Sequence, residues 1–228
     1  MFARKLLAFA LVAAVLASPA HAADALAQGS HNWTGAYIGG DLGYGWGNSS
    51  GVQSNYAGLF PLPYSTALSG IQGGGFLGYN YQIDHVVLGL EGDWQAAKLV
   101  GSSRPTGYKM STSVDGYGSL RGRLGYAFDK LVVFGTGGAA WGTWESKYAV
   151  AGAAPYYKSS TSNHLGWTAG AGAEYALTEN WGGRLEYRYT DLGALPSYSD
   201  VGSNSADSGN KVHVNSILVG VSYKFGAL

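Results

Sequence analysis

The chain has 228 residues, no cysteine, 37 glycines, 12% charged and 14% aromatic residues, and zero formal net charge. The absent cysteines exclude a disulfide scaffold, a thiolate metal site and a cysteine nucleophile. A charge balance this even gives no footprint for nucleic-acid binding, and one domain is the default at this length.

The first 22 residues read as an export signal. Arg4 and Lys5 form a basic start, Leu6 to Leu16 an apolar run, and Ala20-His21-Ala22 a small-residue cleavage site. The apolar run is too short for the ~20 residues that a membrane helix needs. Residues 23–32 read as a polar periplasmic linker, and residues 33–228 as the folded domain.

Strand one runs from Trp33 to Trp46, with Ala36, Ile38, Leu42, Tyr44 and Trp46 on one parity and Tyr37, Asp41 and several glycines on the other. A period of two marks a strand. Residues 47–68 lose that period and read as a long loop. Strand two (Gly70 to Ile83) sets Ile71, Leu77, Tyr79 and Tyr81 against Gln72, Asn80 and Gln82. After Asp84-His85, strand three (Val86 to Ala97) sets Val86, Leu88, Leu90 and Trp94 against Glu91, Asp93 and Gln95, and residues 98–111 read as a second long loop.

Strand four (Val114 to Phe128) carries Leu120, Leu124, Tyr126 and Phe128 on one face and Arg121 and Arg123 on the other. The turn Asp129-Lys130 leads into strand five (Leu131 to Trp144), which is apolar or glycine at both parities and has no legible orientation. After a loop at 145–163, strand six (His164 to Leu177) places Glu174 on the polar side. Following Thr178-Glu179-Asn180, strand seven (Trp181 to Asp191) alternates Arg184, Glu186 and Arg188 with Leu185, Tyr187 and Tyr189. A loop at 192–210 precedes strand eight, where Val212 and Val214 are out of phase with Ile217 to Phe225; a bulge near Asn215 would restore the phase.

Short turns and long connections alternate along the chain, which predicts an all-β fold, an eight-stranded antiparallel transmembrane β-barrel with short periplasmic turns and long extracellular loops. Soluble domains carry about a quarter charged residues. With half that share, the apolar parity is expected to face lipid and the polar parity to fill the lumen. The inward set is then Asp41, Glu91, Asp93, Arg121, Arg123, Glu174, Arg184, Glu186, Arg188 and Lys224. Eight strands enclose room for side chains only, so these ions must pair: Glu91 and Asp93 with Arg121 and Arg123, Glu174 with Arg184 or Arg188. Trp33, Tyr79, Tyr81, Tyr126, Phe128, Trp181, Tyr223 and Phe225 form one interface girdle; Tyr44, Trp46, Trp94 and Tyr189 form the other.

The segments WTGAYIGGDLGYGWG, SLRGRLGYAFDKLVVFGTGGAAWG, GWTAGAGAEYALTENWGGRLEYRYTDLG and VGVSYKFG together resemble the small outer-membrane β-barrel surface proteins of alphaproteobacteria, the rhizobial and pathogen proteins often labelled porin family. The resemblance covers the mature chain. It implies an abundant surface barrel supporting envelope integrity, with outer-membrane lipid and lipopolysaccharide as surroundings and the barrel-assembly machinery and periplasmic chaperones as biogenesis partners. Gly226-Ala227-Leu228 after Phe225 depart from the usual aromatic end.

Other functions read weakly. A narrow solute pore would need the ion pairs to rearrange. Some relatives are described as haemin-binding, but His31, His85, His164 and His213 lack ligand spacing, so no cofactor or metal is expected. A lipid hydrolase at the rim would need His164 or His213 with Ser160, Ser162 or Ser216, and sequence proximity is not a triad. No catalytic residue is assigned.

Overall fold

In a computed structural model, the backbone is described at residues 31–55, 60–103, 108–150, 158–194, 198–200 and 205–225, and side chains at 31–52, 65–102, 113–142, 165–193 and 211–225. The expected export signal at 1–22 lies outside the described residues. Asn32–Leu228 is one compact unit. Its strands are β1 (Gly35–Asn55), β2 (Phe60–Ile83), β3 (Val86–Ser103), β4 (Tyr108–Phe128), β5 (Leu131–Val150), β6 (Lys158–Ala176), β7 (Trp181–Ala194), β8 (Tyr198–Asp200) and β9 (Ser205–Lys224).

Every neighbouring pair is antiparallel, and β9 returns to pair with β1, closing the sheet. β8 is a three-residue stub against β9. Eight long strands therefore make the wall. Closure pairs the backbone groups that an open sheet would leave bare in lipid. Asp84 and Asp129 take φ of 52° and 54° at two of the short turns. Asp tolerates that left-handed region because its short side chain bonds locally.

The long loops expected at 47–68, 98–111, 145–163 and 192–210 are a correction: β1 continues to Asn55, β2 begins at Phe60, and β4 and β5 pair from Tyr108↔Val150 onward. At about 3.3 Å per residue, a 24-residue strand tilted by roughly 40° is about twice as tall as a ~25 Å apolar band. The upper ladders therefore stand clear of lipid. Where side chains are described, Ser49, Thr66, Leu68 and Leu99 are still buried on the inward parity; it is the apolar-against-polar contrast that fades, because outward residues such as Asn48, Ser65 and Ser69 are polar too, while backbone pairing persists.

The bulge expected near Asn215 is also corrected. β9 pairs without a shift from Lys224 to Lys211 against β1. Val212 and Val214 point inward like Ser216 and Leu218, because the lumen itself is apolar at that level. They pack with Leu68, Ala97, Leu99, Val114, Tyr117, Ala140 and Leu192. A second apolar layer of Trp33, Val87, Ala127, Val132 and Ala176 fills the short-turn end. β5 now has an orientation. Val132, Phe134, Thr136 and Ala140 are buried in the lumen, whereas Val133 and Trp141 face outward.

Glycines clear space for the large inward side chains. A Cβ at Gly138, the register partner of Arg121, would lie 2.7 Å from the Arg121 Cα and 2.0 Å from the Leu120 carbonyl oxygen. Gly138→Val is expected to abolish the heat-modifiable folded band on cold gel electrophoresis, since backbone cannot yield as a side-chain tip can. A normal folded band would refute this packing.

Candidate functional site: an ion-paired lumen between two apolar layers

The ions occupy tiers. In the middle tier, Arg121 reaches Glu91 at 2.5 Å and also pairs with Glu186. Arg184 reaches the same two carboxylates, Glu91 at 2.5 Å and Glu186 at 2.6 Å. Two guanidiniums and two carboxylates thus alternate in a square that ties β3 and β4 to β7 across the lumen. Tyr37 adds a hydroxyl donated to Glu91 at 2.8 Å.

Above it, Arg188 reaches Asp93 at 2.8 Å and Glu186 at 3.1 Å, and Ser119 donates to Asp93. Below it, Glu174 accepts from Arg123 at 2.6 Å and from the Ser222 hydroxyl at 2.5 Å. Planar guanidinium forks suit such multidentate pairing, and a carboxylate with several donors is better compensated than one in an isolated pair. The side chain of Phe134 lies between Arg123 and Arg184, whose guanidinium carbons are 4.0 and 4.8 Å from its ring centre. Phe76 flanks Arg184 at 4.7 Å. These faces offer favourable π contact where water is excluded.

Two expected members stand apart. Asp41 is buried, but its partner is the Gln95 amide at 3.0 Å, with Gly74 opposite Asp41 in register leaving room for the amide to cross. Lys224 lies on the inward parity at the short-turn rim, where its ammonium donates to the Asn32 carbonyl. The expected pairing of Glu174 with Arg184 or Arg188 is corrected as well. Glu174 and Arg184 are register partners, yet the closest guanidinium to Glu174 is that of Arg123 on β4, because Arg184 turns to the square.

On the exterior, Tyr44, Trp46, Tyr79, Tyr81, Trp94, Tyr126, Phe128, Trp181 and Phe225 are exposed, and Tyr189 and Tyr223 share their outward parity. Rings meet along both rims, with Trp181 and Tyr223 centres 5.1 Å apart at the short-turn end and Trp167 and Tyr189 5.2 Å apart at the other. Trp33 is the exception. It is 4% exposed and lies inside the short-turn mouth, because its chain turns inward before β1 begins.

Sequence reasoning put Tyr37, Gln72 and Gln95 on the polar parity without assigning them a role, and Tyr117 and Ser119 share the parity of Arg121 and Arg123. Tyr117 donates to Gln72 at 2.9 Å and thereby joins the polar layer to the apolar one above. Phe76 and Phe134 carried no signal, since an inward ring and a lipid-facing ring look alike in sequence. Among the described residues, the histidine rings are dispersed. His85 stacks on Tyr126 and His213 on Tyr189, both outside, while Ser216 is buried in the lumen on the opposite face of β9. His213 and Ser216 therefore cannot act on one substrate atom. The side chains of Ser160, Ser162 and His164 lie outside the described set.

A closed antiparallel barrel with leucines and aromatic rims outside and ions inside is a transmembrane barrel of the outer membrane. The outer membrane protein beta-barrel domain family matches residues 8–225, and the chain belongs to it. It is 38% identical to the 31 kDa outer-membrane immunogenic protein of Brucella melitensis, over 95% of this chain and 93% of that one. It is 30% identical to the 22 kDa outer membrane protein of Rhizobium leguminosarum, over 90% and 83% of the two chains. The barrel is similar in fold to OprG from Pseudomonas aeruginosa, with a TM-score of 0.55 at 15% identity, covering 86% of this chain and 98% of that one. The protein is thus an outer-membrane β-barrel surface protein of the small alphaproteobacterial group.

Proposed function

We propose that this barrel is a structural element of the outer membrane, closed to solutes, and not a diffusion pore. The observation that carries the reading is the cross-lumen square of Glu91, Arg121, Glu186 and Arg184, with apolar layers above and below. Conduction would require desolvated ions to part and two apolar layers to admit water, each step costing several kcal/mol per stranded ion. The barrel's work is then mechanical. Its belt anchors in the surrounding lipid and lipopolysaccharide, and its tall ladders are displayed outward. The Brucella relatives are named immunogenic, and by that likeness the upper ladders are this chain's antigenic face.

In planar bilayers the purified chain is expected to leave the current at baseline. Discrete, reproducible openings by the unmodified chain would overturn the reading in favour of a narrow pore.

A further inference from the structure

The residues before β1 do not extend the barrel wall. Gly35 has φ of 139°, a conformation that favours glycine, and a Cβ there would lie 2.9 Å from the Phe225 carbonyl oxygen. At this point the chain leaves the line of β1 and enters the short-turn mouth. The Trp33 amide donates to the Gln82 side-chain oxygen at 2.8 Å, and the Gln82 amide donates to the Thr34 hydroxyl at 3.0 Å. This reciprocal clamp fixes the segment to the end of β2. Across the mouth, the Trp33 indole donates to the Asp129 carbonyl in the β4–β5 turn at 3.1 Å. The ring packs on Val87, Ala127, Val132 and Ala176, one residue from each of β3, β4, β5 and β6.

We propose that Asn32, Trp33, Thr34 and Gly35 form a periplasmic latch, with the indole as its stopper and Gly35 as its hinge. The stopper keeps periplasmic water from the lowest ion tier, Arg123 and Glu174. The indole holds on by side-chain and turn contacts, so it can withdraw without breaking the strand ladder. This deepens the closed-barrel reading and rests on it: the ion tiers and upper apolar layer block solutes, while the latch governs solvent entry from below.

The chain has no cysteine, so a single introduced thiol reports on access. Val132→Cys sits behind the stopper at a fully buried position, and Glu179→Cys is an exposed control on the same rim. A charged methanethiosulfonate is applied to the full mature chain folded in micelles. Val132→Cys is expected to react about 100-fold more slowly than the control, and adding Trp33→Ala or Gly35→Val to raise its rate at least about 10-fold, because thiol reactivity requires access. Gly35→Val keeps the indole and the wall residues intact and decides the matter if Trp33→Ala does not fold.

Equal rates for Val132→Cys and Glu179→Cys in the otherwise native chain overturn the latch, even if neither added variant folds. So does a Val132→Cys rate unmoved by a folded latch variant. Failure of the closed-barrel reading would show separately, as current through the unmodified chain.

Discussion

Arg121→Ala is expected to destabilise the folded barrel by about 3–5 kcal/mol, the usual result of removing one partner from a buried ion pair. Arg121 is 1% exposed and joins Glu91 to Glu186, with Asp93 a further 3.3 Å away and the Thr136 hydroxyl within hydrogen-bond reach at 3.1 Å. Without it, Glu91 depends on Arg184, which Glu186 also uses beside Arg188, and the central tier holds two carboxylates to one guanidinium of its own. The loss is of electrostatic compensation more than of volume.

Urea unfolding in detergent micelles, followed by tryptophan fluorescence, measures the cost. The paired replacement Arg123→Met with Glu174→Leu is expected to cost less than the sum of its single replacements, because neither ion is left alone. If Arg121→Ala costs under about 1 kcal/mol, solvent is already compensating those carboxylates and the lumen is wet.

Leu90→Arg is the second large effect, about 2–4 kcal/mol against folding into lipid. Leu90 is 65% exposed and lies on β3 midway between Val86 at the short-turn rim and Trp94 in the opposite aromatic girdle. At that depth a guanidinium has neither water nor a carboxylate, since the ion network is behind the wall. Folding equilibria in thin phosphatidylcholine vesicles give the penalty, with Val100→Arg near the outer rim as the shallow comparison. Val100 is 60% exposed, so exposure alone does not separate the two positions. Depth does, because arginine penalties at the interface fall to about 0–1 kcal/mol. Equal, small costs at both positions would show that Leu90 faces water.

Much of this protein was legible in the chain because each membrane strand sees two different media. Leu120, Leu124 and Tyr126 alternate with Arg121 and Arg123 for that reason, and the same signal marks the other wall strands except β5. It failed where that contrast fades or reverses. Above the apolar belt the outward residues turn polar, as at Asn48, Ser65 and Ser69, like the inward Ser49 and Thr66, so the upper ladders read as loops. In the upper lumen layer the inward face of β9 is apolar while Lys211, His213 and Asn215 point outward, so Val212 and Val214 read as out of phase; β5, apolar or glycine on both faces, had no legible orientation.

Trp33 was misplaced for a related reason. A tryptophan beside a strand end suits an interface girdle or a plug equally well, and only the turn at Gly35 distinguishes them.

The amino-acid order by itself determined the closed sheet, its inside and outside, and, Lys224 excepted, the roster of ions to be buried, since all of these follow from local alternation against lipid. The tertiary structure alone decided who pairs with whom. Glu174 meets Arg123, and Arg184 reaches across to Glu91, because closing β9 onto β1 brings opposite walls within side-chain reach, and residues 93 positions apart in the chain become neighbours.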